Sequence, residues 1–222
     1  AIFRAGYTPS AMEFMERDAI EWTMKFIDNC IVPMADDVQA HLLIEVDGND
    51  MEVMMKDMEG ISEVVMNFEC GDILFADDAQ QKAELWKLRR RVGEAVKSHS
   101  IYKEEDTVVP RAELPVLLQG VKDIGAKYGF KSVCYGHAGD GNLHVNIIKG
   151  DLSDEEWNGS LKLGIVEIFN LVKSLGGTIS GEHGIGLVQK EYMHIMFDTV
   201  QLRLMKEIKG NFHPNGILNR RK

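Results

Sequence analysis

Apolar positions along the 222 residues switch between a helical period and a strand period, and the switches mark the elements. Phe14, Ile20, Met24 and Ile27 continue one helical face to about Cys30, behind Ser10 as N-cap and Glu13 at the capping-box position. His41 to Val46 reads as a compact strand stopped at Asp47-Gly48, followed by a methionine-rich helix over 49–58 and a second strand over 63–68. Leu85, Leu88, Val92 and Ala95 form the stripe of a helix over 77–98. A strand over 102–109 is stopped by Pro110, and a helix over 111–128 ends at Gly129. Strands at 131–137 and 144–149 follow, then a helix from Asp151 to about Leu175 closed by Gly176-Gly177. A loop over 181–186 and helices at 189–196 and 201–209 complete the chain.

These elements group as two β-α-β units, 41–68 and 102–149, the second with an added hairpin strand. Split units of this kind build an α+β, ferredoxin-like antiparallel sheet with helices on one face, which leaves the other face free to carry a site. Residues 1–180 are expected to form a substrate or cap domain, and 181–222 a C-terminal helical segment.

The chemistry concentrates in C-Y-G-H-A-G-D-G-N-L-H, from Cys134 to His144, and S-G-E-H-G-I-G, from Ser180 to Gly186. Asp140-Gly141 signals a two-residue hairpin turn. Counting outward from it opposes Gly139 to Asn142, Ala138 to Leu143 and His137 to His144. Opposed residues share a face with Cβ atoms roughly 4.5–5.5 Å apart, so the two imidazoles are expected to converge on one ion. Glu182 adds a carboxylate, giving a two-histidine, one-carboxylate set suited to zinc, manganese or iron with a position open for water or substrate. His183 is then left as a base, since imidazole accepts a proton near neutral pH. The same residues also suit an ion-free polar cluster that ties hairpin to loop. His41, His99 and His194 read as ordinary hydrogen-bonded histidines. The glycines of 181–186 do not match the dinucleotide fingerprint, although a glycine-rich turn feeding a helix can hold an anion on its N–H groups.

Composition narrows the partners. With 45% hydrophobic and 27% charged residues the chain has a soluble, globular make-up, and a formal net charge of −10 disfavours nucleic acid and anionic membrane surfaces. Cys30, Cys70 and Cys134 are scattered and form neither a disulfide framework nor a thiolate zinc site, which fits a reducing, cytoplasmic setting. No apolar run approaches the roughly 18 residues of a membrane span. Met51, Met54, Met55 and Met58, at helical spacing, read as core filler for a helix lying on a sheet rather than as a partner surface.

G-H-A-G-D-G-N-L-H, G-G-T-I-S-G-E-H-G-I-G and the terminal H-P-N-G-I-L-N resemble the C-terminal half of FAD-linked 2-hydroxy acid oxidases and dehydrogenases. That group contains the glycolate oxidase flavin subunits and D-lactate dehydrogenases, among the vanillyl-alcohol-oxidase-like flavoproteins, and the likeness covers essentially the whole chain. It implies oxidation of a 2-hydroxy acid such as glycolate or D-lactate to the 2-oxo acid by hydride transfer to FAD. His183 would be the base. A divalent ion on His137, His144 and Glu182 would lower the pKa of the substrate hydroxyl. Arg89, in the unit Trp86-x-x-Arg89, would clamp the substrate carboxylate with its planar fork, although Arg89, Arg90 and Arg91 also suit a solvated charged face. Lys103 would make a second carboxylate contact, out of strict register with relatives that handle dicarboxylic acids. Gly181, Glu182, His183, Gly184 and Asn219 would lie beside the cofactor. Arg220 and Arg221 replace the Pro-Gly of the family ending.

The resemblance further implies that FAD is bound mainly by an N-terminal domain, in cis or as a separate subunit, against which the C-terminal helical segment packs. The opening A-I-F-R-A-G-Y reads as the interior of a longer protein. An iron-sulfur or other electron-transfer subunit, and association with the inner face of a membrane through partners, belong to the same expectation. Two readings from other classes are a metal-dependent hydrolase, in which the ion activates water, and a non-catalytic α+β interaction module.

Overall fold

The computed structural model describes residues 1–28, 32 and 34–217. The α+β class holds, with five antiparallel strands among helices. The elements are β1 (Ala11–Glu16), α1 (Arg17–Phe26), β2 (Ala40–Glu45), α2 (Met51–Val65), α3 (Ala79–His99), β3 (Tyr102–Val108) and α4 (Leu114–Tyr128). β4 (Lys131–His137), β5 (Asn142–Ile148), α5 (Asp154–Asn158), α6 (Ser160–Ser174), α7 (Met193–Met196) and α8 (Thr199–Phe212) follow. Two compact units emerge: residues 1–101 with 133–139, and residues 102–132 with those from 140 onward.

In the first unit the strand order is β2-β1-β4. β1 replaces the first half of the helix expected from Ser10, whose expected end near Cys30 lies outside the described residues. Ser10 donates its N–H to the Glu45 carbonyl instead of capping, and Glu13 stands opposite Leu43 in β2 and opposite His137 in β4. Strand partners on both sides decide against a weak local preference. The helix begins only at Arg17, whose guanidinium holds Glu21 and the carbonyls of residues 35, 36 and 38. α1 packs on α3 over Ala19, Ile20, Leu88 and Val92, all fully buried.

The strand expected over 63–68 is also not formed. α2 runs on to Val65, capped at its start by Asp50, which accepts from the N–H groups of Glu52 and Val53. Gly60 lets the helix pass close to Tyr7: a Cβ there would come 1.9 Å from the Tyr7 hydroxyl oxygen. The short run E-V-V-M-N-F is apolar enough for either element, and helix continuation wins. The first strand-helix-strand group is therefore β1-α1-β2.

In the second unit β3 and β5 pair antiparallel, with Glu104 opposite Asn146 and Asp106 opposite His144. All seven residues of β5 are buried, so the strand face that carries His144 is covered rather than open, contrary to the expected free face. Leu143, Val145 and Ile147 alternate with the polar residues, and α4 packs on this strand and on α6, whose Ile168, Phe169 and Val172 are fully buried. Gly159 breaks the long helix expected from Asp151 into α5 and α6.

Glu105, on the alternate face of β3 from Asp106, is a buried acid. Burial pushes its carboxyl up to about 7, against the opposing pulls of the Gln189 amide at 3.2 Å and of Lys103. A carboxyl raised in the folded state favours folding in its neutral form, and that advantage is lost as pH climbs. Urea unfolding should accordingly show stability falling between the ordinary glutamate range and about pH 7, and Glu105→Gln should flatten that slope.

Candidate functional site

Asp106 organises the second unit. Its carboxylate is 1% exposed and accepts the Asn142 amide at 2.7 Å on Oδ1 and the backbone N–H groups of Glu182 and His183, each at 2.8 Å, on Oδ2. Burial alone would raise the carboxyl, but the hydrogen bonds from His183, Asn142 and Glu182 outweigh it and hold Asp106 below the usual range. Gly181 donates its N–H to the Asp106 carbonyl, and Val108 exchanges two hydrogen bonds with Thr178. The loop from Thr178 to His183 is thus laid along β3. The N–H groups expected to be available for an anion point instead to an internal carboxylate.

This clamp carries Glu182 and His183 to His144. Glu182 Oε1 lies 3.3 Å from His144 Nε2, and Glu104 Oε1 lies 3.4 Å from His144 Nδ1. The rings of His144 and His183 are 5.2 Å apart and tilted by 32°. Glu104, His144 and His183 each offer a donor atom within 4.8 Å of the others, a donor set chemically suited to a divalent ion. His144 is buried, while His183 and Glu182 are about half exposed, which leaves them open to a ligand. Asn146 completes this strand face. It is 0% exposed, and among the described residues neither its Oδ1 nor its Nδ2 meets a partner. Leaving a buried amide unpaired costs about 1–3 kcal/mol, so such a group calls for a partner from outside the chain, whether a water, an ion or a ligand.

The first unit holds His137 in the same manner. Its Nδ1 lies 2.9 Å from Glu13, which also receives Arg89 Nε at 2.8 Å and its terminal nitrogen at 2.7 Å. Burial opposes ionisation of Glu13, but the hydrogen bond from His137 and the Arg89 charge outweigh it and keep the carboxyl below its ordinary value. Arg89 is 12% exposed and 5.6 Å from the Tyr135 ring centroid, so it is neither a solvated surface charge nor an uncommitted carboxylate clamp.

Other expected features fall elsewhere. The connection between β4 and β5 spans 138–141, four residues rather than two, with Gly141 at φ 79°. The count from a two-residue turn therefore does not hold, and the N–H of Gly139 goes to Met12 rather than toward Asn142. Lys103 alternates to the face of β3 opposite Glu104, where it donates to the Trp157 carbonyl at 3.0 Å and sits 4.7 Å from that ring's centroid. Gly184 takes φ 77° within the loop, and Asn219 lies outside the described residues. Asp106, Asn146, Glu13 and Glu104 were missed. The period-two polar series Asn142, His144, Asn146 was the available signal for a functional strand face.

Residues 1–222 match the family described as FAD linked oxidases, C-terminal domain. The chain belongs to that family. It is 34% identical to the D-lactate dehydrogenase of Anaerostipes hadrus over 215 residues, covering 95% of this chain and 45% of that protein. It is 31% identical over 222 residues to the glycolate oxidase subunit GlcD of Bacillus subtilis (strain 168), covering 98% and 46%. It is 36% identical over 151 residues to the D-2-hydroxyglutarate dehydrogenase of Stutzerimonas stutzeri, covering 67% and 32%. The chain thus spans less than half the length of these relatives. A 4-ethylphenol oxidase from Gulosibacter chungangensis, solved with isoeugenol, shares the fold with a TM-score of 0.60 at 13% identity, over 94% of this chain and 46% of that one. Among the described residues no helix is long and apolar enough to cross a membrane.

A Cβ at Gly181 would lie 2.2 Å from the Asn142 amide nitrogen and 2.6 Å from a Val108 methyl. Gly181→Ala should therefore lift the loop and destabilise the chain by about 1–3 kcal/mol, measured by urea unfolding.

Proposed function

We propose that the protein oxidises a small 2-hydroxy acid to the 2-oxo acid, this chain forming the substrate-binding and catalytic half of an FAD-dependent oxidoreductase. One observation carries the reading: His144, with a carboxylate near each ring nitrogen, stands beside His183 on a loop clamped by a buried aspartate. Family membership and the names of the relatives support the same class of substrate. FAD, held mainly by protein outside these 222 residues or by a partner subunit, supplies the acceptor for the substrate C2 hydrogen and its electron pair.

The residues of this chain do the remaining work. His183 Nε2 takes the hydroxyl proton as the carbonyl forms, and the rigid backbone at Asp106 keeps that nitrogen on station. The Asn146 amide offers a donor and an acceptor to the substrate's hydroxyl and carboxylate. Arg89 spends part of its guanidinium on Glu13 and has further N–H donors for the substrate carboxylate. The proposed ligands of a divalent ion, zinc, manganese or iron, are His137, His144 and Glu182, and such an ion supplies Lewis acidity toward the hydroxyl. In favour of this set, His144 Nε2 faces Glu182, and Glu13 engages Nδ1 of His137, so Nε2 is the nitrogen proposed to ligate. Gly181, Gly184 and Asn219 are proposed to lie beside the flavin. Residues 181–222 are proposed to return toward the flavin half, a reading supported by the exposed stripe Val200, Leu204, Ile208 and Phe212 on α8. An iron-sulfur or other electron-transfer subunit is the proposed acceptor after the flavin.

The complete flavin-containing polypeptide should turn over glycolate, D-lactate or D-2-hydroxyglutarate with a dye acceptor. His183→Ala should lower kcat by about 10²–10⁴-fold with flavin content unchanged. No turnover of any 2-hydroxy acid by flavin-replete protein, or full activity in His183→Ala, would contradict the proposal.

A further inference from the structure

The segment from Glu45 to Asp78 holds eleven acidic residues and a single basic one, Lys56. It therefore carries a formal −10, the net charge of the whole chain, and the other 24 acidic and 24 basic residues cancel (35 − 11 and 25 − 1). The same segment exposes large apolar side chains. α2 buries only Gly60 and Ile61, so the methionines expected to be core filler are in part on the surface. Met51 is 64% exposed and Met55, one helical turn on, 42%. With Glu52, Lys56 and Glu59 they line a shallow concavity on the helix. Val53, Met66, Phe68, Leu74 and Phe75 are exposed as well.

We propose that this acidic, methionine-bearing surface of the first unit docks a separate protein chain, through an apolar helix of that partner flanked by lysine and arginine. Met51 and Met55 share one concavity with Glu52, Lys56 and Glu59, and methionine adapts to the shape of a partner helix. Charge selects among occupants. A second copy would bring the same −10 against this surface, and nucleic acid or an anionic membrane would be repelled. A basic apolar helix satisfies both the concavity and the acids. A relative named as a subunit, the glycolate oxidase subunit GlcD, supports a partner on another chain. The inference does not depend on the reaction proposed above.

The test uses the complete polypeptide and dilute hydrogen peroxide, with sulfoxide formation at Met51 and Met55 read by mass spectrometry. The probe is a synthetic amphipathic helix of leucine and lysine, and a leucine and glutamate helix is the control. Both methionines should oxidise readily in the protein alone. The lysine helix should slow them several-fold, high salt should abolish that protection, and the glutamate helix should give none. The double variant Glu52→Lys, Glu59→Lys should lose the protection and keep its oxidoreductase activity. Four results would overturn the proposal. These are methionines already shielded at low protein concentration, meaning the rest of the polypeptide covers them; shielding that grows with protein concentration alone, meaning a second copy; protection that survives the charge reversal; and no protection at all.

Discussion

One buried carboxylate sets the geometry of the second unit. Asp106 accepts three hydrogen bonds, two of them from consecutive backbone N–H groups of a loop more than seventy residues away in sequence. A charged acceptor holding two backbone donors fixes the position and the direction of the chain between them. Glu182 and His183 therefore reach His144 without any regular element of their own, on a loop that would otherwise be among the most mobile parts of the molecule. The absence of a Cβ at Gly181 is part of the same arrangement, because a side chain there would occupy the space of Asn142 and Val108.

Each unit holds a histidine against an acid of a neighbouring strand. Glu13 in β1 stands directly opposite His137, and Glu104 in β3 is two residues from Asp106, the strand partner of His144. An acid on Nδ1 orients the ring and makes the imidazole a better donor through its other nitrogen. In the first unit Arg89 neutralises the acid, which allows Glu13 to stay ionised although it is buried. In the second unit Glu104 and Glu182 flank the two ring nitrogens of His144.

Much of this was legible in the sequence. The strand over 131–137, the helices α3 and α4 and the 181–186 loop stand where periodicity and the glycine and proline signals put them, because local and tertiary preferences agree there. β1 was hidden by a plausible cap at Ser10, since pairing with strands on both sides is a non-local term that no window of residues contains. The run after Gly60 was ambiguous between strand and helix, and the surface position of Met51 and Met55 could not be told from a core position by spacing alone. Within the site, glycines and histidines announced themselves by motif. Asp106 did not, because an aspartate in a strand is informative only once the N–H groups that it binds are known.

The account rests on Asp106 as the clamp, and amide hydrogen exchange in Asp106→Ala tests it most directly. Truncation removes the single oxygen that accepts from both loop N–H groups, so the exchange of Glu182 and His183 should accelerate toward that of an open loop while β5 stays protected. If those two amides exchange as slowly in Asp106→Ala as in the parent protein, the loop is held by something else and the clamp is not what builds the site.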